Sequence, residues 1–267
     1  MSILSLLLIF AVVGVVAGLI AGLFGLGGGV VIVPALIYTF AGLAFPETVA
    51  THLAVGTSLG CIVVTSLTAS RTHWKKGAVD LNILGPLVPG VLVGGWCGGL
   101  LASLLAGAEL QLAFAAFLVF VGFTMLKAVG DGGQRLPGIP GRVLAGTVIG
   151  SLSSLFGIGG GSLTVPFLRV CQVPMAKAVA TSAALGLPIA VAGVASFIYQ
   201  GWGQPDLPDG AYGYFYLPAF LGIVVFSAPA SRIGARMAHN LPAEKLQKGF
   251  AVVLFLIAVE LFVSGLM

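Results

Sequence analysis

The chain has 267 residues, of which 58% are hydrophobic and 7% are charged, and its mean hydropathy is +1.13. Soluble domains carry about 25% charged residues, so this composition excludes a soluble enzyme, a disordered chain and a disulfide scaffold. The formal net charge of +4 arises from 12 basic and 8 acidic residues, and the basic residues form short clusters that signal membrane topology rather than a nucleic-acid surface.

The first apolar stretch covers residues 3–43 and is interrupted by three consecutive glycines, Gly27–Gly29. No basic residue precedes it, whereas a secretory signal begins with a basic segment, so we interpret it as the first membrane element. A second interrupted stretch, 142–171, contains Gly159–Gly161. A bilayer span needs about 20 apolar residues, and the long uninterrupted candidates are 46–70, 79–105, 109–128, 174–199, 213–236 and 246–266. The sequence therefore predicts an all-α, polytopic membrane protein.

The two halves of the chain are copies of one another. Three pairs of segments match in the same order: GVVAGLIAGLFGLGGGVVIVPALI (14–37) with GTVIGSLSSLFGIGGGSLTVPFLR (146–169), ATHLAVG (50–56) with ATSAALG (180–186), and LQLAF (110–114) with LQKGF (246–250). Ordered matches of this kind indicate a duplicated unit of about 130 residues. They divide the chain into a first membrane repeat (1–128), a linker rich in glycine and proline (129–141) and a second membrane repeat (142–267).

The basic residues indicate that the two repeats have opposite orientations. In the first repeat the loop at 71–77 carries three Lys or Arg residues and the loop at 106–109 carries none. In the second repeat the equivalent loop at 200–212 carries none, whereas the segment 232–248 carries four. Because Lys and Arg concentrate on the cytoplasmic side, equivalent loops are predicted to face opposite sides. This inverted topology places all 12 basic residues and the linker in the cytoplasm, and both termini outside.

An inverted topology needs an odd number of crossings in each repeat, so the glycine-interrupted stretch must return to the side from which it entered. In the second repeat its arms are short, with 15 residues at 142–156 and ten at 162–171. Ten helical residues rise only about 15 Å, half of the hydrocarbon core. Each repeat is therefore predicted to hold a re-entrant helix hairpin with its glycines at the tip, followed by three transmembrane helices.

The two glycine tips are the predicted substrate site. Close helix packing explains glycines spaced four apart, such as Gly14 and Gly18, but three consecutive glycines break a helix and let successive N–H groups point into one concavity. The N-terminus of the next short helix adds unpaired donors and a positive dipole end, an arrangement by which transporters bind anionic groups. The candidate substrate-binding residues are Gly27, Gly28, Gly29, Thr51, His52, Gly159, Gly160, Gly161, Ser162, Thr181 and Ser182.

Each polar candidate has more than one interpretation. Ser162 follows its glycine run at a predicted N-cap position, where it could cap the helix or bind substrate. Thr51 and Thr181 match across the repeats, beside His52 and Ser182 respectively, and could donate to an anion or bond back to their own helices. His52 lies inside a predicted span and could donate to an anion, carry a coupling proton or lie at the outer interface.

The sequence lacks the residue patterns of an enzyme. It has no paired-carboxylate site, no HExxH, no GxSxG and no ATP-binding motif, and its three cysteines stand apart in apolar segments. No catalytic residue, cofactor or metal site is therefore predicted. No Lys or Arg lies deep in a predicted span and no Asp or Glu lies near a tip, so we expect a neutral or anionic cargo that is held by amides, hydroxyls and dipoles.

The segments GLFGLGGGVVIVPAL and SLFGIGGGSLTVPFL, with ATHLAVG and ATSAALG behind them, resemble the TauE/SafE family. That resemblance covers nearly the whole chain and implies an inner-membrane permease for sulfite, organosulfonates and related sulfur compounds, often an exporter. The expectation that follows is a secondary transporter that moves such anions by alternating access, with a small anionic substrate and the lipid bilayer as partners and no nucleic acid.

Several alternatives stay open at this point. The protein could be an uptake permease for sulfur oxyanions or organic carboxylates, or a passive anion channel. A homodimer is also open. At matching positions the first repeat has His52 and the second has Ser182, which leaves the role of the histidine undecided.

Overall fold

The computed structural model describes residues 3–24, 27–126, 136–238 and 243–265, which form ten α-helices and, within these ranges, no β-strand. In chain order the helices are α1 (Ile3–Phe24), α2 (Gly29–Gly42), α3 (Glu47–Lys75), α4 (Leu81–Ser103), α5 (Gly107–Leu126), α6 (Ile139–Leu155), α7 (Gly161–Val170), α8 (Met175–Gln200), α9 (Leu217–Ala238) and α10 (Ala243–Gly265). The predicted all-helical class is confirmed. The predicted linker lies mostly outside the described residues.

The glycine runs join α1 to α2 and α6 to α7. Gly27 and Gly28 have φ angles of +73° and +84°, left-handed conformations that favour glycine, and Gly28 is the N-cap residue of α2. In the second half the left-handed residue is Gly157, with φ +64°, whereas Gly160, the N-cap residue of α7, has a right-handed φ of −52°. The same sequence motif therefore adopts two different backbone conformations.

Each long hairpin arm packs against a helix of the other half through glycines four residues apart, where no side chain would fit. Glycines of α1 meet successive turns of the α9 backbone: Gly14 at Ile223, Gly18 at Ser227 and Gly22 at Ser231. Glycines of α4 meet the α6 backbone in the same way: Gly90 at Val143, Gly94 at Thr147 and Gly98 at Ser151. The two halves are therefore interleaved, and the packing role expected for glycines such as Gly14 and Gly18 is confirmed.

The second hairpin begins and ends beside the same loop. Near the start of α6, Arg142 Nη1 donates to the backbone oxygen of Asn82 at 2.7 Å. Just after α7, Lys177 Nζ lies 3.7 Å from Asp80 Oδ2. The chain enters and leaves this hairpin at one end of the helix bundle, as a re-entrant element does.

The first hairpin returns in the same manner at the opposite end. Because α1 runs parallel to α9, its first residues lie beside the start of α9 at Leu217. At the end of α2, Phe40 contacts Tyr216 edge-on, with ring centroids 5.5 Å apart. Both ends of this hairpin therefore lie beside residues 216–217.

The length of α1 differs from the prediction that hairpin arms are short. It has 22 residues, and 20 of them form a segment apolar and long enough to cross a bilayer. Gly28 lies against the backbone of Ala17. Helix α2 therefore begins beside Ala17, and α1 continues for several residues beyond that contact. Among the described residues, the helices of spanning length and hydropathy are α1, α3, α4, α5, α8 and α9, and the described apolar segment of α10 is Ala251–Val263.

Equivalent helices of the two halves run in opposite directions where they touch. Leu59 of α3 lies beside Gly193 of α8, and Ser66 of α3 lies beside Gly186. Residue numbers therefore increase along α3 in the direction in which they decrease along α8, so the two helices are antiparallel. The pair α5 and α10 behaves likewise, since Gly122 contacts Phe255 and Gln111 Nε2 donates to the Leu261 oxygen at 3.3 Å. The antiparallel pair α3 and α8 forms the centre of the bundle, next to both hairpins.

Candidate substrate site at the glycine tips

A buried helix, α3, supplies the polar surface of the site. It is 29 residues long and most of its length is buried. Its buried hydroxyl residues recur along the helix: Thr51, Thr57, Ser58, Thr65, Ser66 and Thr68. A buried polar group has to find a partner or pay the cost of desolvation, so this helix is where polar contacts between elements are expected.

The two glycine tips touch each other beside the middle of α3. A Cβ atom placed on Gly27 would lie 3.0 Å from the Gly159 Cα and 2.6 Å from the Ile62 side chain. A Cβ on Gly29 would overlap the backbone oxygen of Gly157. Only glycine allows this direct contact between the two backbones, which explains why both runs need glycine here.

Two hydroxyls of α3 hold one tip each. Ser58 Oγ donates to the Gly157 oxygen at 2.8 Å, and Thr65 Oγ1 donates to the Gly27 oxygen at 2.8 Å. The two residues are seven positions apart, which is about two helical turns and therefore one face. This face of α3 fixes the spacing of the tips.

Two further hydroxyls at the second tip have no hydrogen-bond partner within the described part of the chain. Ser66 Oγ and Thr164 Oγ1 are both buried and unpaired. A Cβ on Gly160 would lie 3.5 Å from Thr164 Oγ1 and 3.6 Å from the Gly186 nitrogen, and a Cβ on Gly186 would lie 2.6 Å from Ser66 Oγ. Buried hydroxyls are normally bonded, so unsatisfied donors at a helix tip mark a place where a polar ligand could bind.

The structure brings the six predicted glycines together, and it places Ser162 beside them. Helix α7 begins at Gly161 with Gly160 as its N-cap residue and without a side-chain cap. Ser162 is therefore the second helical residue, so the predicted N-cap position was wrong by two residues. Its Oγ donates to the Gly159 oxygen at 3.4 Å, and the side chain is fully buried.

Thr51 and Thr181 lie far from each other. Thr181 Oγ1 accepts from the Asp80 nitrogen at 3.1 Å, at the end of the bundle where α8 starts. Thr51 lies against Gly107 at the opposite end. Since α3 and α8 are antiparallel, the two threonines are separated by about 20 residues of helix, roughly 30 Å. Ser182 Oγ donates to the Val179 oxygen of its own helix at 2.8 Å.

His52 also lies away from the tips. Its Nε2 is 3.0 Å from the Ala102 oxygen, to which it donates, and its ring stacks on Tyr214 with centroids 5.0 Å apart. It connects the start of α3 to the end of α4 and to the loop before α9. These contacts indicate that His52 holds structural elements together near one end of the bundle.

We expect His52→Ala to lower the thermal stability of the purified protein without changing the pH dependence of transport. Losing the bond to Ala102 removes one of the hydrogen bonds that this carbonyl accepts, because the Leu105 N–H also donates to it at 3.1 Å. One such bond contributes about 0.5–1.5 kcal/mol. Thermal unfolding and transport rates at several pH values measure the two effects, with His52→Gln as a control that retains a donor. A flattened pH profile in a variant of normal stability would instead identify a proton carrier.

The tip-binding hydroxyls Ser58 and Thr65, and the unpaired Ser66 and Thr164, were not identified from the sequence. A signal was present, since Thr57–Ser58 and Thr65–Ser66 form two hydroxyl pairs eight residues apart, separated by the apolar segment 59–64. That spacing places both pairs on nearby faces of α3.

Comparisons with known proteins agree over nearly the whole chain. Residues 10–261 match the sequence model of a family described as sulfite exporter TauE/SafE. A probable membrane transporter protein of Haemophilus influenzae is 35% identical over 97% of this chain and 99% of its own length. Probable membrane transporter proteins of Methanocaldococcus jannaschii (26% identical, 91% of each chain) and Bacillus subtilis (27%, 97% of this chain and 98% of the relative) are also similar. No solved structure matches the chain.

Proposed function

This chain belongs to the TauE/SafE family and is a multi-pass membrane transporter rather than an enzyme, and we propose that it exports sulfite or organosulfonates across the cytoplasmic membrane. The proposed mechanism is secondary transport by alternating access, in which the two glycine tips bind the anion. The observation that carries this proposal is the contact between the two tips at the centre of the bundle, beside buried hydroxyls that lack a partner.

The chemistry of the tips suits a sulfur oxyanion. Sulfite and sulfonate groups are hydrogen-bond acceptors, and the tips offer hydroxyls and the N-terminal ends of α2 and α7. The described charged residues lie away from the tips, so no fixed cation would trap the anion there. Neutral donors bind an anion moderately and also release it, as transport requires.

The packing of the two halves supports alternating access. Equivalent helices run antiparallel at their contacts, which is the relation expected for repeats of inverted topology. The two tips differ in conformation, since Gly28 is left-handed and Gly160 right-handed. In an inverted repeat, an exchange of these conformations between the halves would convert a state open to one side into a state open to the other.

The charges support an orientation in the membrane. Basic residues lie where α3 and α9 end and α8 begins: Arg71, Lys75, Lys76, Lys177, Arg232 and Arg236. Acidic residues lie mostly at the opposite end: Glu47, Glu109, Asp206 and Asp209. The positive-inside rule assigns the basic end to the cytoplasm. The start of α1 and the end of α10, which lies near Gln111, would then face outside.

Reconstitution tests the proposal directly. Proteoliposomes containing the purified protein are loaded with sulfite, taurine, sulfoacetate, sulfate or acetate, and efflux is followed at increasing concentrations. Saturable efflux of sulfite or a sulfonate supports the proposal. Transport of acetate alone would refute the proposed cargo, flux that does not saturate would indicate a channel, and vesicles of defined orientation distinguish export from uptake.

We expect Thr164→Val to weaken substrate binding without destabilising the protein. The hydroxyl has no partner in the described chain, so its removal relieves a desolvation penalty and leaves the melting temperature equal or higher. A hydrogen bond to a charged group contributes about 1.5–3 kcal/mol, so the half-saturating sulfite concentration should rise about tenfold or more. Thr164→Ser, which keeps the hydroxyl, is the matched control. An unchanged half-saturating concentration in Thr164→Val would show that this hydroxyl does not bind the anion.

A further inference from the structure

A basic cleft opens at the end of the bundle where α3 and α9 finish. It has a volume of about 440 Å³ and is lined by five cationic side chains together with Thr68 and Thr72. The cationic residues come from the end of α3, the residue after it and α9: Arg71, Lys75, Lys76, Arg232 and Arg236. The positive-inside rule requires such residues only on the same side of the membrane, so it does not explain why they line one cavity.

The part of the chain that the structure describes gives the cleft a positive charge. Among these residues, no Asp or Glu lines the cleft and none of its five cations has an ion-pair partner. The acidic residue Asp80, at the same end of the bundle, lies 3.7 Å from Lys177 instead. All five cationic residues are exposed, so they are available to an anion from solution.

The floor of the cleft lies one helical turn from the first glycine tip. Thr68 lines the cleft, bonds to the Ser231 hydroxyl and donates to the Thr65 oxygen at 2.9 Å. Thr65 in turn donates to the Gly27 oxygen at 2.8 Å. Thr68 in the cleft and Thr65 at the tip are three residues apart on α3, which is a rise of about 4.5 Å along the helix axis. This short step connects the basic cleft to Gly27.

We propose that this basic cleft is the cytoplasmic recruitment site for the transported anion, a small oxyanion of the sulfite or sulfonate class. This inference rests on the proposed function and adds the residues that collect the substrate. Arg guanidinium groups bind oxyanions through paired N–H donors, and a cleft lined by one sign of charge raises the local concentration of its counter-ion. The cations stay at the entrance, so they attract the anion without holding it at the tips.

The first test measures binding without transport. Sulfite is added to the purified protein in zwitterionic detergent, and the ligand-induced rise in melting temperature is recorded against each variant's own baseline. The rise should be smaller in the double variant Arg71→Gln/Arg232→Gln than in wild type. It should be retained in Arg71→Lys/Arg232→Lys and in Lys248→Gln, which removes one positive charge from α10 outside the cleft. An equal rise in the Gln double variant would overturn the proposal.

The second test measures transport in proteoliposomes of phosphatidylcholine. The Gln double variant should raise the half-saturating sulfite concentration about tenfold while the maximal rate is retained, and should weaken the salt dependence of the rate at low sulfite. An unchanged half-saturating concentration would refute recruitment. In the melting-temperature test, a rise caused by phosphatidylglycerol but not by free sulfite would also refute recruitment. The cleft would then bind lipid headgroups.

The two proposals fail separately. If wild-type protein moves no sulfur anion but sulfite still stabilises it through Arg71 and Arg232, the proposed cargo is wrong and the anion site stands. If sulfite is transported with no contribution from these residues, the function stands and the recruitment site is wrong.

Discussion

Replacing Gly160 with valine is expected to abolish transport while the protein still folds. The φ angle of Gly160 is −52°, which any L residue adopts without strain. The new Cβ would meet Ile189 Cδ1 at 2.5 Å, the far end of a flexible side chain that can move. The added methyl groups would fill the space next to Thr164 Oγ1, where the anion is proposed to bind.

The experiment compares Gly160→Val with Gly249→Val in proteoliposomes. No atom lies within 4 Å of a Cβ placed on Gly249 in α10, so this control adds the same side chain to a helix without a clash. Efflux of sulfite should fall to the level of protein-free vesicles for Gly160→Val and stay normal for Gly249→Val. Monodisperse elution from detergent establishes folding in both. Normal efflux by well-folded Gly160→Val would remove the second tip from the substrate site.

Replacing Gly94 with valine should prevent the protein from folding stably, because the clash there is with backbone. A Cβ on Gly94 would overlap the Thr147 oxygen and lie 2.8 Å from the Ser151 nitrogen. Helix α6 cannot yield as a side chain can, and it would have to separate from α4 along its length. Overpacking costs about 1–3 kcal/mol where neighbours can adjust, and here we expect about 3 kcal/mol or more.

The yield of monodisperse protein and its melting temperature measure this effect. Gly18→Val provides the equivalent substitution in the other half, since its Cβ would lie 2.8 Å from Ala230 Cβ and overlap the Ser227 oxygen. Both variants should be recovered poorly, whereas Gly249→Val, where a Cβ meets no atom within 4 Å, should be recovered like wild type. A wild-type melting temperature for Gly94→Val would mean that α4 and α6 are not packed through their glycines.

The hairpins and their tips were predictable because they depend on local chemistry. A run of three glycines interrupts the helix in each half, whereas the glycine pairs Gly94–Gly95 and Gly98–Gly99 lie inside α4. The recurrence of the three-glycine run in both halves marks the two breaks in the sequence. The partner of each tip was not predictable, because an apolar helix gives little indication of which face meets which neighbour. Ser58 and Thr65 became recognisable only when α3 was seen to pass both tips.

The expectation for Thr51 and Thr181 shows a limit of arguments from duplication. Matching sequence suggests matching environment, and each threonine does lie near the start of its helix. Where equivalent helices run antiparallel, however, equivalent residues meet only near the middle of the pair. Gly27 and Gly159 touch, whereas the two threonines lie at opposite ends of the bundle.

The interleaved packing of the hairpins affects how the protein is made. Helix α1 packs along α9, yet about 190 residues separate the end of one from the start of the other. At about 5–20 residues per second, α9 is synthesised about 10–40 s after α1. During that interval the α1 face containing Gly14, Gly18 and Gly22 has no partner. The insertion machinery or surrounding lipid must cover it, so a nascent chain halted before α9 should be a preferred target of membrane quality control.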